Sequence, residues 1–325
     1  MNILVTGGAG YIGSATAEAL VKAGHSVTVY DSLITGHRAA VPEGASFIQA
    51  DLADSTVLVK TLNDQRFEAV MHFAAFIEAG ESMRDPGRFY HNNFTNSLML
   101  IETAVRAGVK RFVLSSTAAV YQSSNEPLTE ESPLGPTNVY GHTKLMVEQA
   151  LDWYRQIYGL HFAVLRYFNA CGALPGRGEA HQPESHLIPL VLRVPLGQRE
   201  SAQIYGTDYP TPDGTCIRDY IHIADLVSAH LLALDGLSER DRLVYNLGSG
   251  NGYSVREVIE TARLVTGHPI PTQELPRRPG DSARLVASSQ KIKRELGWTP
   301  THDNLQEIIS SAWEWHNSHP KGYEG

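Results

Sequence analysis

Hydrophobic and polar residues in the first half of the chain follow two alternating patterns. Short apolar, β-branched runs predict strands, and longer segments with a helical period predict helices. The predicted strands are Asn2–Thr6, Ser26–Tyr30, Ser46–Ala50, Ala69–Phe73, Arg111–Ser115 and His161–Arg166. The predicted helices are Tyr11–Ala23, Thr56–Asn63, Tyr90–Ala107 and Val139–Tyr158. Such alternation predicts an α/β fold built on a parallel sheet that helices cover on both faces.

The pattern becomes less regular after residue 169. Two loop-rich stretches, Ala173–Gly178 and Tyr205–Gly214, follow that point. They predict a second, smaller α/β domain, so we place the first domain at residues 1–169 and the second mainly at 170–325. Residues 220–250 again have a strand, helix and strand pattern, and we expect the chain to return there to the first domain.

Composition and charge exclude several classes of protein. The 325 residues are 42% hydrophobic and 19% charged, which is typical of a globular protein. Lys and Arg total 27 against 35 Asp and Glu, so the formal charge is -8 and we expect neither nucleic acid nor a membrane surface as partner. The chain begins with an apolar strand, which predicts neither an export signal nor a membrane anchor.

Cysteine and histidine usage points away from disulfides and metals. Two cysteines, Cys171 and Cys216, are too few for a disulfide framework and favour the cytoplasm. The 14 histidines show neither His-Glu-x-x-His nor paired Cys/His spacing. We therefore predict no metal site.

A glycine-rich turn links the first predicted strand to the first predicted helix. Gly7, Gly10 and Gly13 form a Gly-x-x-Gly-x-x-Gly motif, in which the backbone can approach a pyrophosphate at a helix N-terminus. Asp31 follows the second strand, where a carboxylate binds the adenosine ribose hydroxyls and repels a 2′-phosphate. The motif therefore predicts a site for NAD in preference to NADP.

A second group of residues predicts redox chemistry on an alcohol. Tyr140 and Lys144 are four residues apart in a predicted helix, so we expect the lysine ammonium to lie near the phenol and to favour its ionised form. Ser115 and Thr117 lie at the end of the fifth strand, at the sheet edge where α/β proteins bind ligands. Together these residues indicate hydride transfer between an alcohol and a nicotinamide.

These motifs resemble the extended short-chain dehydrogenase/reductase family, and within it the nucleotide-sugar 4-epimerases. The resemblance covers nearly the whole chain. Its other segments are His72–Ala75, Gly80–Ser82, Asn92–Asn93, Ser115–Tyr121, Arg166–Asn169, Asp208–Thr211, Arg218–His222 and Arg278–Asp281. It implies a Rossmann-type doubly wound parallel sheet that binds NAD at residues 1–169, and a C-terminal domain that binds a UDP-sugar.

The resemblance also implies an activity, the interconversion of UDP-galactose and UDP-glucose. Tyr140 removes the proton of the sugar 4-hydroxyl while the C4 hydride passes to bound NAD, and the hydride returns to the other face of the 4-keto sugar. Lys144 tunes Tyr140, and Thr117 binds the 4-hydroxyl. The other positions expected at the cofactor are Tyr11, Ile12, Asp51, Leu52, Phe73, Ala74, Ala75, Asn92, Ser115 and Tyr167.

For the substrate, the resemblance implies contacts with the UDP moiety and with the sugar. The positions concerned are Asn169, His186, Leu187, Arg218, Arg278, Asp281 and Leu285. His186 stands where asparagine is more common in the family. Leu285 stands where some epimerases have a tyrosine that narrows the sugar pocket, and we therefore expect N-acetylated UDP-hexosamines to fit as well.

Several alternatives stay open. Ala118 and Ala119 offer no acid where dehydratases and decarboxylases of the family carry one. Three other functions remain open. The chain could be an epimerase of another nucleotide sugar, such as a UDP-pentose or a UDP-uronic acid, a net oxidoreductase, or a non-catalytic NAD sensor. Within the family, the helices predicted at Tyr90–Ala107 and Val139–Tyr158 pair across a dimer interface, so we expect a homodimer.

Overall fold

The computed structural model describes residues 1–278 and 281–324, and the chain forms two compact units within them. Unit 1 comprises Met1–Gln122, Pro133–Arg166 and Val227–Tyr245. Unit 2 comprises Ser123–Ser132, Tyr167–Leu226 and the chain from Asn246 onward. The sequence placed the first change at residue 169 and the return at 220–250. It did not place residues 123–132 in the second unit, where Leu128 N–H donates to the Val286 carbonyl at 2.8 Å.

The strands and helices have the following bounds. The strands are β1 Asn2–Thr6, β2 Ser26–Asp31, β3 Ser46–Gln49, β4 Ala69–His72, β5 Arg111–Thr117, β6 His161–Tyr167, β7 Asn169–Cys171, β8 Ala202–Tyr205, β9 Ile217–His222, β10 Arg242–Leu247, β11 Gly252–Ser254, β12 Thr272–Leu275 and β13 Arg284–Leu285. The α-helices are α1 Tyr11–Lys22, α2 Ser55–Gln65, α3 Ala79–Ser82, α4 Pro86–Phe89, α5 Asn96–Arg106, α6 Val139–Tyr158, α7 Leu187–Leu192, α8 Ile223–Gly236, α9 Val255–Thr266, α10 Gln290–Leu296 and α11 Leu305–Ser318.

A seven-stranded sheet in the order β10-β6-β5-β4-β1-β2-β3 forms the centre of unit 1. The strand β1 pairs in parallel with both β2 and β4, so the strand order reverses at β1. Open α/β sheets bind ligands beyond the carboxyl ends of their strands at such a reversal. The predicted α/β fold with a doubly wound parallel sheet is confirmed, and Ile3, Leu4 and Val5 are fully buried as a strand covered on both faces requires.

Helix α6 has the bounds that the sequence predicted, because both ends carry local signals. The Asn138 side chain accepts a hydrogen bond from Gly141 N–H at 2.8 Å and caps the first turn. Gly159 ends the helix in the left-handed region at φ 68°.

The single helix predicted over Tyr90–Ala107 is wrong in its first part. Residues Tyr90–Thr95 form a π-helical turn, and α5 begins only at Asn96. The wider turn coincides with an inward-facing Asn93, whose side chain accepts from Phe76 N–H and donates to the Phe76 carbonyl, both at 2.8 Å. The hydrophobic period of the sequence carries no information on this polar contact.

Unit 2 contains smaller sheets and a separate core. The strand β9 pairs with β7, β11 and β13, while β8 pairs with β12. Helices α7, α9 and α11 supply buried side chains such as Ile188, Val258 and Ile308. Among the described residues, no helix has the length and apolar character needed to cross a membrane.

Candidate active site

The glycine-rich turn of unit 1 is packed so tightly that side chains are excluded from two of its positions. A Cβ on Gly7, where φ is 73°, would lie 2.5 Å from Ala74 N, and a Cβ on Gly13 would lie 2.1 Å from the Gly7 carbonyl oxygen. Gly10 caps α1 and faces open space, since only the Gly7 oxygen lies within 4 Å of its ideal Cβ. A backbone surface open at a helix N-terminus fits a pyrophosphate.

Asp31 ends β2 beside this turn. Its carboxylate accepts hydrogen bonds from Ala9 N–H and Leu33 N–H, each at 2.9 Å. Burial raises the pKa of this carboxyl, and the two backbone hydrogen bonds oppose that rise. The turn and the carboxylate therefore fit a dinucleotide with a free ribose hydroxyl, as the sequence predicted.

The other predicted cofactor positions lie in several parts of the fold. Tyr11 and Ile12 open α1, and Phe73 N–H donates to the Thr6 carbonyl at 2.8 Å, which places Ala74 and Ala75 just beyond β4. Asp51 accepts from Ala53 N–H at 2.8 Å, and Leu52 is buried. Asn92 donates to the Asn93 side chain at 2.9 Å. Tyr167 ends β6 and belongs to unit 2.

The predicted catalytic hydroxyls come together in unit 1. Thr117 is the last residue of β5 and Tyr140 is the second residue of α6, and the Thr117 side chain is close enough to lower the pKa of the Tyr140 phenol. Gly141 permits this approach, because a Cβ there would lie 2.3 Å from the Ala119 carbonyl oxygen. Ser82 also fixes the helix start, since its Oγ accepts from Tyr140 N–H at 3.1 Å.

Lys144 lies one turn further along α6 and is buried. Its Nζ donates to the Ser115 carbonyl at 2.9 Å. Burial lowers the pKa of Lys144 to about 8, against the raising effect of Glu148. An ammonium with this pKa is still mostly protonated at neutral pH.

The spacing of Tyr140 and Lys144 predicts that the lysine favours the ionised phenol, whereas the largest effect on the pKa of Tyr140 comes from burial. Burial raises its pKa to about 12, the nearby Glu78 carboxylate raises it further, and the hydrogen bond with Thr117 opposes both effects. The spacing within the helix could not indicate this outcome, because it depends on how deeply the phenol is buried.

Sequence reasoning missed a buried group behind the lysine. Glu148 Oε2 lies 2.6 Å from Arg166 Nη2, and the same carboxylate accepts from the Ser116 hydroxyl. The Arg166 guanidinium also donates to the Tyr121 hydroxyl at 2.7 Å. The side chains of Tyr140, Lys144 and Glu148 lie on one helix face, because they follow one another at intervals of four residues. This spacing could have indicated that Glu148 lies near Lys144.

In unit 2, four of the predicted substrate positions come together around β9. Arg218 lies in β9 opposite Leu285 of β13. Its Nη2 is 3.4 Å from Asp281 Oδ1, while Arg278 Nε is 2.9 Å from Asp281 Oδ2. Pro279 and Gly280, which belong to the same sequence motif, lie outside the described residues. Two cations on one carboxylate form a set that suits a phosphorylated ligand.

Asn169, His186 and Leu187 are held separately in unit 2. Asn169 donates from its side chain to the Asp219 carbonyl at 2.7 Å. Leu187 begins α7, and the His186 Nδ1 before it lies 3.0 Å from Glu184 Oε1. None of the motifs found in the sequence pointed to Glu184 as the partner of His186.

Known proteins resemble the chain over its full length. The sequence model of the NAD dependent epimerase/dehydratase family matches residues 3–248. The UDP-glucose 4-epimerase of Streptomyces lividans is 50% identical, with 99% of this chain and 98% of that protein covered. A crystal structure of a UDP-glucose 4-epimerase has a TM-score of 0.97 at 51% identity and covers 100% of both chains. That of Bifidobacterium longum, in complex with NAD+ and UDP, has a TM-score of 0.94 at 36% identity, with 99% and 100% covered.

Proposed function

The chain belongs to the NAD dependent epimerase/dehydratase family, and on that premise we propose that it interconverts UDP-galactose and UDP-glucose. It is an NAD-dependent enzyme, and the relatives described above are UDP-glucose 4-epimerases. The observation that carries the proposal is the proximity of Thr117 to the Tyr140 phenol, with the buried Lys144 one helical turn away. These groups can hold an alcohol and remove its proton.

In this proposal the glycine turn at Gly7, Gly10 and Gly13 would hold the pyrophosphate of NAD, and Asp31 would hold its adenosine ribose. When bound, NAD would supply the group that takes up the C4 hydride of the sugar and gives it back, so that no net oxidation would result. Thr117 orients the 4-hydroxyl by a hydrogen bond.

Tyr140 takes the proton from the 4-hydroxyl and gives it back. With a pKa of about 12, its phenol is protonated at neutral pH and ionises only with electrostatic help. Lys144 supplies a positive charge one helical turn away, and its pKa of about 8 keeps it charged at neutral pH. Lys144 is therefore the residue that makes Tyr140 usable as a base.

The substrate is held by residues of unit 2. Arg218 and Arg278 bind the diphosphate, for which the planar guanidinium donates two parallel hydrogen bonds. Asp281 binds the uridine ribose, and Asn169, His186 and Leu187 complete the contacts with UDP. Arg218 and Arg278 both contact Asp281, which supports their assignment to one ligand.

The test is conversion of UDP-galactose by purified protein without added NAD, with Tyr140→Phe as the matched variant. The variant lacks only the hydroxyl, and we expect its rate to fall by roughly 10²- to 10⁴-fold, the usual contribution of acid–base catalysis. An unchanged rate in the variant contradicts the mechanism. Stoichiometric NADH formation identifies a net oxidoreductase, and retained NAD without turnover of any UDP-sugar supports the sensor.

A second substrate class is favoured by Leu285. This residue pairs with Arg218 in the sheet of unit 2 and has a shorter side chain than a tyrosine. We propose that UDP-N-acetylglucosamine and UDP-N-acetylgalactosamine are also interconverted. Rapid turnover of UDP-glucose with no detectable turnover of UDP-N-acetylglucosamine contradicts this extension.

We also propose that the enzyme is a cytoplasmic homodimer. On α6 three large side chains are exposed, Trp153 at 63%, Ile157 at 65% and Tyr158 at 60%. A second copy would cover such an apolar face. Both cysteines are free thiols, which agrees with a reducing compartment.

A further inference from the structure

A group of histidine and glutamate side chains lies in the segment before α7, within unit 2. One ligand atom from each of Glu179, His181 and His186 lies within 4.8 Å of the others. His181 Nδ1 is 2.9 Å from Glu179 Oε1, and His186 Nδ1 is 3.0 Å from Glu184 Oε1. The two imidazole rings meet edge to face with centroids 5.1 Å apart. The proposed function uses only His186 of this arrangement, as a contact with UDP, and no step of the proton or hydride transfer involves the group.

The carboxylates of this group are removed from water. The Glu184 side chain is 2% exposed and that of Glu179 is 10% exposed. Two buried carboxylates carry a charge of −2 when ionised, and such charges occur in protein interiors when they are paired or when they coordinate a metal. The group therefore calls for a compensating positive charge.

The two ring nitrogens of His181 also indicate that a positive charge is needed, because each of them faces a carboxylate. Nδ1 faces Glu179, while Nε2 lies 3.8 Å from Glu184 Oε1. A neutral imidazole carries one N–H, so it can donate to only one of two carboxylates and presents a lone pair to the other. A metal cation bound by the ring and a carboxylate removes this conflict.

His186 has a suitable partner for metal binding. Its Nδ1 can donate to Glu184, which leaves Nε2 as the ligand atom, and Glu184 also accepts from the backbone N–H of His186 at 2.7 Å. Metal-binding histidines commonly donate their second nitrogen to a carboxylate in this way, which fixes the ring and its tautomer.

From these contacts we propose that Glu179, His181 and His186 bind one divalent transition-metal ion of the Zn²⁺ type, with Glu184 orienting His186. Two imidazoles and one carboxylate are a ligand set that Zn²⁺ accepts, at bond lengths of about 2.0–2.2 Å. Tetrahedral donors then lie about 3.4 Å apart, a separation compatible with the 4.8 Å limit on the three atoms. When both carboxylates are ionised, the divalent ion brings the net charge of the group to zero.

The location gives this ion a structural role. The Glu179 carbonyl accepts a hydrogen bond from Trp315 Nε1 of α11 at 3.2 Å, and His186 is the residue before α7. A metal bridging Glu179 and His186 thus cross-links the two ends of this loop within unit 2. We expect metal removal to lower the thermal midpoint of unfolding, because the ion binds only the folded loop.

The test uses the full-length protein and ZnCl₂ alone. Protein dialysed against a chelator is titrated with ZnCl₂ by calorimetry, and Co²⁺ is added separately so that its absorption spectrum reports the coordination. We expect about one tight equivalent of Zn²⁺ per chain, a tetrahedral Co²⁺ spectrum and a higher thermal midpoint with metal. None of these readouts requires turnover, so failure of the proposed function leaves the result intact.

Three variants locate the site. His181→Asn and His186→Asn are expected to abolish the tight equivalent, and Glu184→Gln is expected to weaken it by about 10- to 100-fold. The matched control is His268→Asn, which removes an exposed imidazole of the same unit outside the group. Less than one tenth of an equivalent bound by the wild type, or a tight equivalent retained in both His181→Asn and His186→Asn, overturns the proposal. If the wild type binds less than one tenth of an equivalent, protons shared within the group balance the charges of the two carboxylates.

Discussion

The substitution Glu148→Gln removes a buried charge that acts on Lys144, the lysine proposed to assist Tyr140. Glu148 lies one helical turn beyond Lys144 on α6 and raises the pKa of that lysine, which burial lowers to about 8. Its carboxylate also forms the ion pair with Arg166 and accepts from Ser116, the neighbour of the residue whose carbonyl binds Lys144. The substitution keeps the shape of the side chain and removes its charge.

Two effects of different size follow from this removal. The side chains of Arg166 and Glu148 are 5% and 7% exposed, so the variant leaves a buried guanidinium without its counterion. Breaking a buried pair in this way costs about 3–5 kcal/mol, and we expect about 3 kcal/mol because glutamine retains an oxygen acceptor. At about 1.4 kcal/mol per factor of ten, the unfolded fraction rises on the order of a hundredfold.

The second effect concerns the pH dependence of the rate. Loss of the Glu148 charge lowers the pKa of Lys144, so the ammonium loses its proton at a lower pH. In the proposed mechanism the charged form assists Tyr140, so we expect activity to fall as pH rises through this pKa. We therefore expect the alkaline limb of the kcat profile to move to lower pH in the variant.

The assays are urea unfolding and kcat profiles over about pH 6–10, which spans the expected alkaline limb. The matched control is Asp152→Asn, a partly exposed carboxylate on the same helix that pairs with Arg155 and Arg242. A loss of stability with an unchanged alkaline limb refutes the electrostatic link to Lys144. An unchanged stability refutes the reasoning on the buried pair.

Four further predictions concern other parts of the chain. Asp219→Asn should lower the free energy of unfolding by about 2–3 kcal/mol in urea titrations, because the buried carboxylate accepts from Ser249, Gly250 and Ala287. Gly13→Ala should reduce the NAD retained per chain after gel filtration, because its Cβ would overlap the carbonyl of the turn. Leu285→Tyr should abolish turnover of N-acetylated sugars and spare UDP-galactose; equal losses on both contradict the pocket assignment. Trp153→Glu should yield monomers in light scattering if α6 forms the dimer interface.

Much of unit 1 could be predicted from the sequence, because its elements depend on local signals. Apolar runs gave the core strands of the sheet, and the cap residues of α6 fixed both of its ends. The glycine turn and Asp31 were recognisable because their spacing reflects the constraints of a single strand–turn–helix connection. The π-helical turn escaped prediction, because it depends on the contact between Asn93 and Phe76.

Tertiary structure decided the properties that depend on burial and on distant contacts. The spacing of Tyr140 and Lys144 was visible in the sequence, but the pKa of about 12 for the phenol follows from how it is buried. Glu148 and Arg166, and likewise Glu179 and His186, became partners only when folding brought them together.

The sequence by itself therefore determined the parallel α/β sheet, the glycine turn with its carboxylate, and the residues able to carry hydride chemistry. The tertiary structure decided the protonation of the tyrosine, the charge that supports the lysine, and the buried group of histidines and glutamates. Local spacing encodes backbone geometry, whereas electrostatic energies depend on desolvation and on charges that are distant along the chain.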